Sequence, residues 1–205
     1  MEDGLYKEEE IVITKPIHLI TQIHNLEKAK EEHIKKNINV ASCQHFPLYQ
    51  FPMMRDQVTT KWKDKEVDIS YGGTFRAGRR EKKLQQFYFD FPEDISVELF
   101  GKIKEKDFKK LDDERRPLFS GAVKYHEMID KMSKAKAHIV IGDMKYPDYG
   151  MISQRVYESI MANCVTFIDA DFDRDKIVYG NTALGQFLYV HSKEDVIKKM
   201  HKMEK

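Results

Sequence analysis

The sequence has little cysteine, almost no net charge and no long apolar run. Only Cys43 and Cys164 occur in 205 residues, without the close spacing of metal ligands. A disulfide framework and a zinc ribbon are therefore not expected. Lys and Arg total 35 against 34 Asp and Glu, a net charge of +1. The chain by itself thus lacks the basic excess typical of a strong DNA binder. No apolar stretch approaches the roughly 18 residues that a membrane helix needs. The first residues, Met1 to Glu10, are acidic and polar, unlike a signal peptide. No repeat and no Pro/Gly/Ser linker divides the chain. Together these absences predict a protein of a reducing cytoplasm, with no membrane partner.

What is present is alternation. Apolar, β-branched runs occur at Ile17–Ile23, Asn39–Cys43, Val67–Tyr71, Ser96–Phe100, Ala137–Gly142, Val165–Ala170 and Gln186–Val190. Between them lie polar stretches with helical spacing: Asn25–Lys36, Arg80–Phe91, Tyr125–Ala135, Ile152–Met161 and Lys193–Met203. Strands alternating with helices of this length predict βαβ units and a parallel sheet. Runs such as Ala137–Gly142, apolar throughout, fit strands covered on both faces. The expected fold is one α/β domain over residues 1–205, a doubly wound parallel sheet. Ligands of such sheets bind beyond the carboxyl ends of the strands, near helix N-termini.

Two segments meet that description. In the first, the strand Val67–Tyr71 runs into Gly72-Gly73-Thr74-Phe75-Arg76-Ala77-Gly78-Arg79-Arg80. Glycines admit a ligand close to the backbone, and a helix N-terminus offers unpaired N–H donors to an anion. Arg76, Arg79 and Arg80 add guanidinium forks that match phosphate oxygens. The spacing is neither a dinucleotide fingerprint nor a Walker loop. The plainer alternative is a tight turn with a solvated basic first turn, but cations there oppose the helix dipole, and a bound anion would offset that. In the second segment, the strand Ala137–Gly142 ends at Asp143, and a turn-rich loop through Tyr146 leads to a helix bearing Arg155 and Glu158. Three apart, these two share a helix face. They read either as phosphate and ribose ligands or as a plain ion pair on a solvated helix. A third stretch, Pro117–Val123, reads as a backbone able to meet a base edge, or as a core strand with its turn.

These residues resemble the DNA β-glucosyltransferases of bacteriophages, which transfer glucose from UDP-glucose to 5-hydroxymethylcytosine in duplex DNA. Glu8 to Ile17 is similar to the stretch entering the family's second domain. Tyr71-Gly72-Gly73-Thr74-Phe75-Arg76-Ala77-Gly78-Arg79-Arg80-Glu81 is close to Y-G-G-S-F-R-S-G-Q-R-E. Phe100-Gly101 with Glu105-Lys106-Asp107-Phe108, then Phe119-Ser120-Gly121, match F-G, E-K-x-F and F-T-G. Ile141-Gly142-Asp143 with Tyr146, and Arg155-Val156-Tyr157-Glu158, are close to I-G-D-x-x-Y and R-V-W-E.

The resemblance implies a Rossmann-like domain corresponding to the C-terminal, donor-binding half of a GT-B enzyme. It implies that Arg76, Arg80 and Arg155 hold the UDP diphosphate and stabilise the leaving group. It further implies that Glu158 binds the ribose and that the Val123 backbone meets the uracil. Gly73, Thr74, Asp143 and Tyr146 line the donor site. In the family the general-base aspartate and much of the DNA surface lie in the N-terminal domain, so no catalytic base is expected here. Transfer is expected only with such a domain, supplied by a partner chain through which duplex DNA would bind. A carboxylate of the family's F-P-I-E-Q-Y block is Tyr49 here. A Mg2+ or Mn2+ ion bridging the diphosphate is compatible with this site, though no carboxylate cage is visible. The alternative function is a non-catalytic nucleotide or nucleotide-sugar binding module derived from such an enzyme. If phage-encoded, the chain would work in the host cytoplasm.

Overall fold

A computed structural model of the chain describes residues 17–21, 26–45, 60–75, 79–142 and 145–203. It divides into two compact units, Met1–Pro47 and Leu48–Lys205. In the first, β1 (Ile17–Thr21) and β2 (Val40–His45) pair in parallel, joined through helix α1 (Leu26–Ile34). The register shifts once, between Ile17 and His18. The expected cap at Asn25 and the block Glu8–Pro16 lie outside the described residues, as does Phe46–Phe51 with Tyr49.

The second unit is a five-stranded, all-parallel sheet. Its strands are β3 (Val67–Gly72), β4 (Val97–Phe100), β5 (Ala135–Val140), β6 (Val165–Asp169) and β7 (Tyr189–Val190). Their spatial order is β4-β3-β5-β6-β7. The chain starts in the interior at β3, steps outward to β4, then crosses back to β5 on the other side. That reversal makes β3/β5 the topological switch point, where the crevice of a doubly wound sheet opens. The helices are α2 (Arg79–Tyr88), α3 (Glu105–Phe108), α4 (Met128–Ser133), α5 (Lys145–Tyr149), α6 (Gln154–Met161), α7 (Ala183–Leu188) and α8 (Lys193–Met203).

Strand alternation sorts the core into two faces. Ile69, Tyr71, Ala137, Ile139 and Phe167 pack with Leu84 and Phe87 of α2 and Val196 and Met200 of α8. On the opposite face Val140 and Ile168 meet Val156 of α6. Phe100 packs on Met128, Ile129 and Met132 of α4. The periodicity of Leu84 and Phe87, and of Val196 and Met200, therefore identifies true core faces.

The structure corrects three expectations. The run Gln186–Val190 is mostly helix: α7 extends to Leu188 and leaves a two-residue strand. Thr182 caps α7 by accepting the Gly185 amide at 3.0 Å, and this local cap prevails over the apolar run. The stretch Tyr125–Ala135 starts as a 3-10 turn at Tyr125–Glu127 before α4 begins, and its last residue opens β5. Ile160, placed by spacing on the buried face of α6, is 51% exposed, while Glu158 beside it is fully buried. The polar site determines which side of this helix faces inward.

Candidate donor site at the sheet switch point

Three loops leave the carboxyl ends of β3 and β4 and the segment after them, and backbone bonds weld them together. The Gly73 amide donates to the Phe100 carbonyl at 2.9 Å, and the Phe75 amide to Lys102 at 2.8 Å. The Gly101 amide donates to the Gly121 carbonyl at 2.7 Å, and the Ser120 amide to Leu99 at 2.8 Å. The stretch Pro117–Val123 is thus neither a free loop nor a full strand. It touches the sheet by a single parallel bridge, Leu99 to Phe119. Gly101 is the keystone. Its φ is +136°, and a Cβ there would lie 1.8 Å from the Gly73 carbonyl oxygen. Gly101→Ala is expected to cost about 2–4 kcal/mol, combining left-handed-region strain with displacement of the β3 loop. Urea denaturation checks this, and an unchanged midpoint would mean the loops are not locked together.

Above these loops lies a cleft of about 660 Å³, whose lining includes Gly73, Thr74, Gly101, Val123, Tyr125 and Arg155. A larger hollow of about 920 Å³ shares Thr74, Gly101, Lys102 and Ala122 with it and adds Lys104, Lys106 and Lys110. Arg155 enters from the switch point. It is the second residue of α6, whose N-cap Ser153 accepts the Arg155 amide at 3.2 Å. A cation at this end of a helix opposes the dipole. Two acceptors hold it there: its Nε donates to the Gly72 carbonyl at 2.7 Å, and its Nη1 pairs with Glu158. The helix spacing places Glu158 beneath the guanidinium, and the β3 carboxyl end lies within reach across the crevice.

Glu158 is fully buried, and its Oε1 has no hydrogen-bond partner among the described residues. A buried carboxylate needs a paired cation, which makes Arg155 and Glu158 a single unit. Below them on β5 sits His138, 1% exposed, with Ser70 Oγ 3.5 Å from its Nδ1. Burial, reinforced by the charge of Arg155, lowers the His138 pKa to about 3. It is a neutral core group, as its apolar strand suggests. Asp169, at the carboxyl end of β6, has its pKa raised by burial but is tied to Lys83 at 2.7 Å and accepts the Asp171 amide at 3.1 Å.

The structure therefore gathers Gly73, Thr74, Val123 and Arg155 around one cleft, with Glu158 sealed beneath. Tyr146 is packed on the Phe172 ring, 5.5 Å between centroids, and does not line the cleft. Arg76 and Asp143 lie outside the described residues. Arg80 is placed by its backbone in the first turn of α2, and its side chain is not described. The sequence reading passed over Tyr125 and Gln154, and it took up Gly101 only through the resemblance. Gly101 carried a usable signal, a glycine directly after a strand. The other two carried none, because their roles depend on how α6 meets the turn before α4. Among the described residues no group of three or more His, Cys, Asp or Glu could hold a metal ion, so no step is assigned to one. No described helix is long and apolar enough to cross a membrane.

No known family profile matches the chain. It is 35% identical over 203 residues to the DNA β-glucosyltransferase of Enterobacteria phage T4, a match that covers 98% of this chain and 56% of that enzyme. The crystal structure of the T4 phage enzyme with its UDP-glucose substrate superposes with a TM-score of 0.72 at 34% identity, over 97% of this chain and 56% of the other. The T4 enzyme with UDP and Mn2+ gives 0.71 at 34% identity, over 97% and 55%. The chain thus spans a little over half the length of the relatives it matches. Along nearly its whole length it matches one part of a phage DNA β-glucosyltransferase, with the five-stranded parallel sheet of a GT-B glycosyltransferase half.

Proposed function

We propose that residues 1–205 form the donor-binding part of a DNA glucosyltransferase, taking UDP-glucose in the cleft at the β3/β5 switch point. The observation that carries this is Arg155, an arginine held at the carboxyl end of β3 beside a glycine loop, within a match to an enzyme crystallised with UDP-glucose. The diphosphate lies against Arg155 and the Gly72–Thr74 backbone, with Arg76 and Arg80 completing the cationic set. The base lies toward Val123. Tyr146 and Asp143 support the loop leading into α6.

Inverting transfer forms a bond from the acceptor hydroxyl oxygen to the glucose anomeric carbon, as the bond to UDP breaks. The hydroxyl proton goes to a general base, and the electron pair leaves with UDP. Arg155 supplies preorganised positive charge where the leaving group gains negative charge. No residue of this chain matches the family's general base, so transfer to 5-hydroxymethylcytosine in duplex DNA is assigned to these residues together with a domain that supplies one. Glu158 as a ribose ligand would require its carboxylate to turn from Arg155, or its unpartnered Oε1 to become reachable.

Isothermal titration calorimetry with UDP and UDP-glucose tests the reading. One saturable site for both, with UDP contributing most of the affinity, is expected. Heat no larger than for uridine would overturn a diphosphate-binding role.

A further inference from the structure

The same cleft carries an aromatic wall that nothing above assigns. Tyr125 opens the 3-10 turn after Val123, lines the cleft with Arg155, and leaves 41% of its surface exposed. Large aromatic side chains are mostly buried unless the exposed ring has something to meet. This ring is also held in place. Gln154, the first residue of α6, donates from Nε2 to the Tyr125 hydroxyl. Gln154 directly precedes Arg155, so the residue that anchors the ring adjoins the cation beside the Gly72 carbonyl.

From this geometry we infer that Tyr125 is a specificity-determining residue that stacks on the nucleobase of the bound nucleotide, with Gln154 positioning its ring. The inference rests on the UDP-sugar reading and deepens it. A nucleoside diphosphate has two recognisable ends, an anion and an aromatic face. Arg155 meets the first and Tyr125 the second, within one cleft of about 660 Å³. Bonding at its hydroxyl leaves the faces of the tyrosine ring available for stacking. The hydrogen bond removes ring freedom before the ligand arrives, which lowers the ordering cost of binding. Met128, also lining the cleft, adds a polarisable thioether beside the base.

Calorimetry with UDP and with inorganic pyrophosphate separates the base from the anion. Tyr125→Ala is expected to weaken UDP roughly ten- to hundredfold, the range of base–aromatic stacking, and to leave pyrophosphate affinity unchanged. Tyr125→Phe and Gln154→Ala keep the ring but lose its anchor, and both are expected to show one similar, smaller loss for UDP. Tyr125 is exposed, so its variants should melt with the wild type. Unchanged UDP affinity in Tyr125→Ala, or parallel losses for UDP and pyrophosphate, would overturn the inference. If the wild type binds UDP and Arg155→Ala abolishes it while Tyr125→Ala does not, the base wall alone is wrong. If the wild type binds no UDP, the donor-site reading fails and the inference falls with it.

Discussion

Arg155→Ala is expected to abolish most UDP binding and to destabilise the chain at the same time. The two effects have one cause. The guanidinium donates to the Gly72 carbonyl at 2.7 Å and pairs with Glu158, which is fully buried. Removing it deletes a charge-assisted contact to the diphosphate, worth about 2–4 kcal/mol or roughly thirty- to several-hundredfold in affinity. It also leaves a carboxylate sealed in the core without its cation. A fully buried pair broken this way costs about 3–5 kcal/mol. The Arg155 side chain keeps 27% exposure, so water can partly compensate, and about 2–3 kcal/mol is the expected loss. A second variant separates binding from folding. Arg155→Met with Glu158→Leu replaces the whole pair by apolar side chains of similar size, which is close to neutral for stability. It is expected to recover the denaturation midpoint of the wild type and still to bind no UDP. Recovered folding with wild-type UDP affinity would show that Arg155 does not contact the phosphates.

Acidification is expected to unfold the chain through His138. Its folded pKa is about 3, against 6.5 for the unpaired group, because burial first and the Arg155 charge second disfavour the imidazolium. A histidine with a lowered folded pKa binds its proton more readily when unfolded. Its contribution is therefore fully present above pH 6.5, is lost progressively as the pH falls, and is gone by about pH 3. Between pH 6.5 and 4.5 the loss amounts to about 2–3 kcal/mol. His138→Gln keeps a polar, uncharged side chain at every pH. Its stability is expected to fall less steeply over that interval, whatever its value at pH 7. Chemical denaturation at several pH values measures both slopes, and identical slopes would place a charged or solvated histidine at this position.

The parts of the fold that were legible in the sequence are those in which local pattern and tertiary demand agree. Val67–Tyr71 and Val165–Ala170 are apolar on both faces and form central strands. Leu84 and Phe87 repeat at helical spacing and lie in the core. Gln186–Val190 misled because its apolar run also suits a helix, and the Thr182 cap tips it that way. Ile160 misled because spacing cannot foresee that Glu158 turns inward to meet Arg155. For the same reason the pair itself had two readings in sequence, a ligand set or a surface ion pair. The structure shows an ion pair that is not solvated, which neither reading contained. The rule that ligands meet strand carboxyl ends located Gly73 and Arg155 correctly on one cleft. It could not order the strands, so it could not show that β3 and β5 flank the crevice, nor that the turn at Tyr125 folds over it.

A crystal structure of the chain grown with UDP-glucose tests the central claim most directly. The diphosphate is expected within hydrogen-bond distance of Arg155 and the Gly73 and Thr74 amides, with the uracil between Val123 and the Tyr125 ring. A nucleotide bound elsewhere on the molecule, or a diphosphate turned away from Arg155, would contradict the assignment of the switch-point cleft as the donor site.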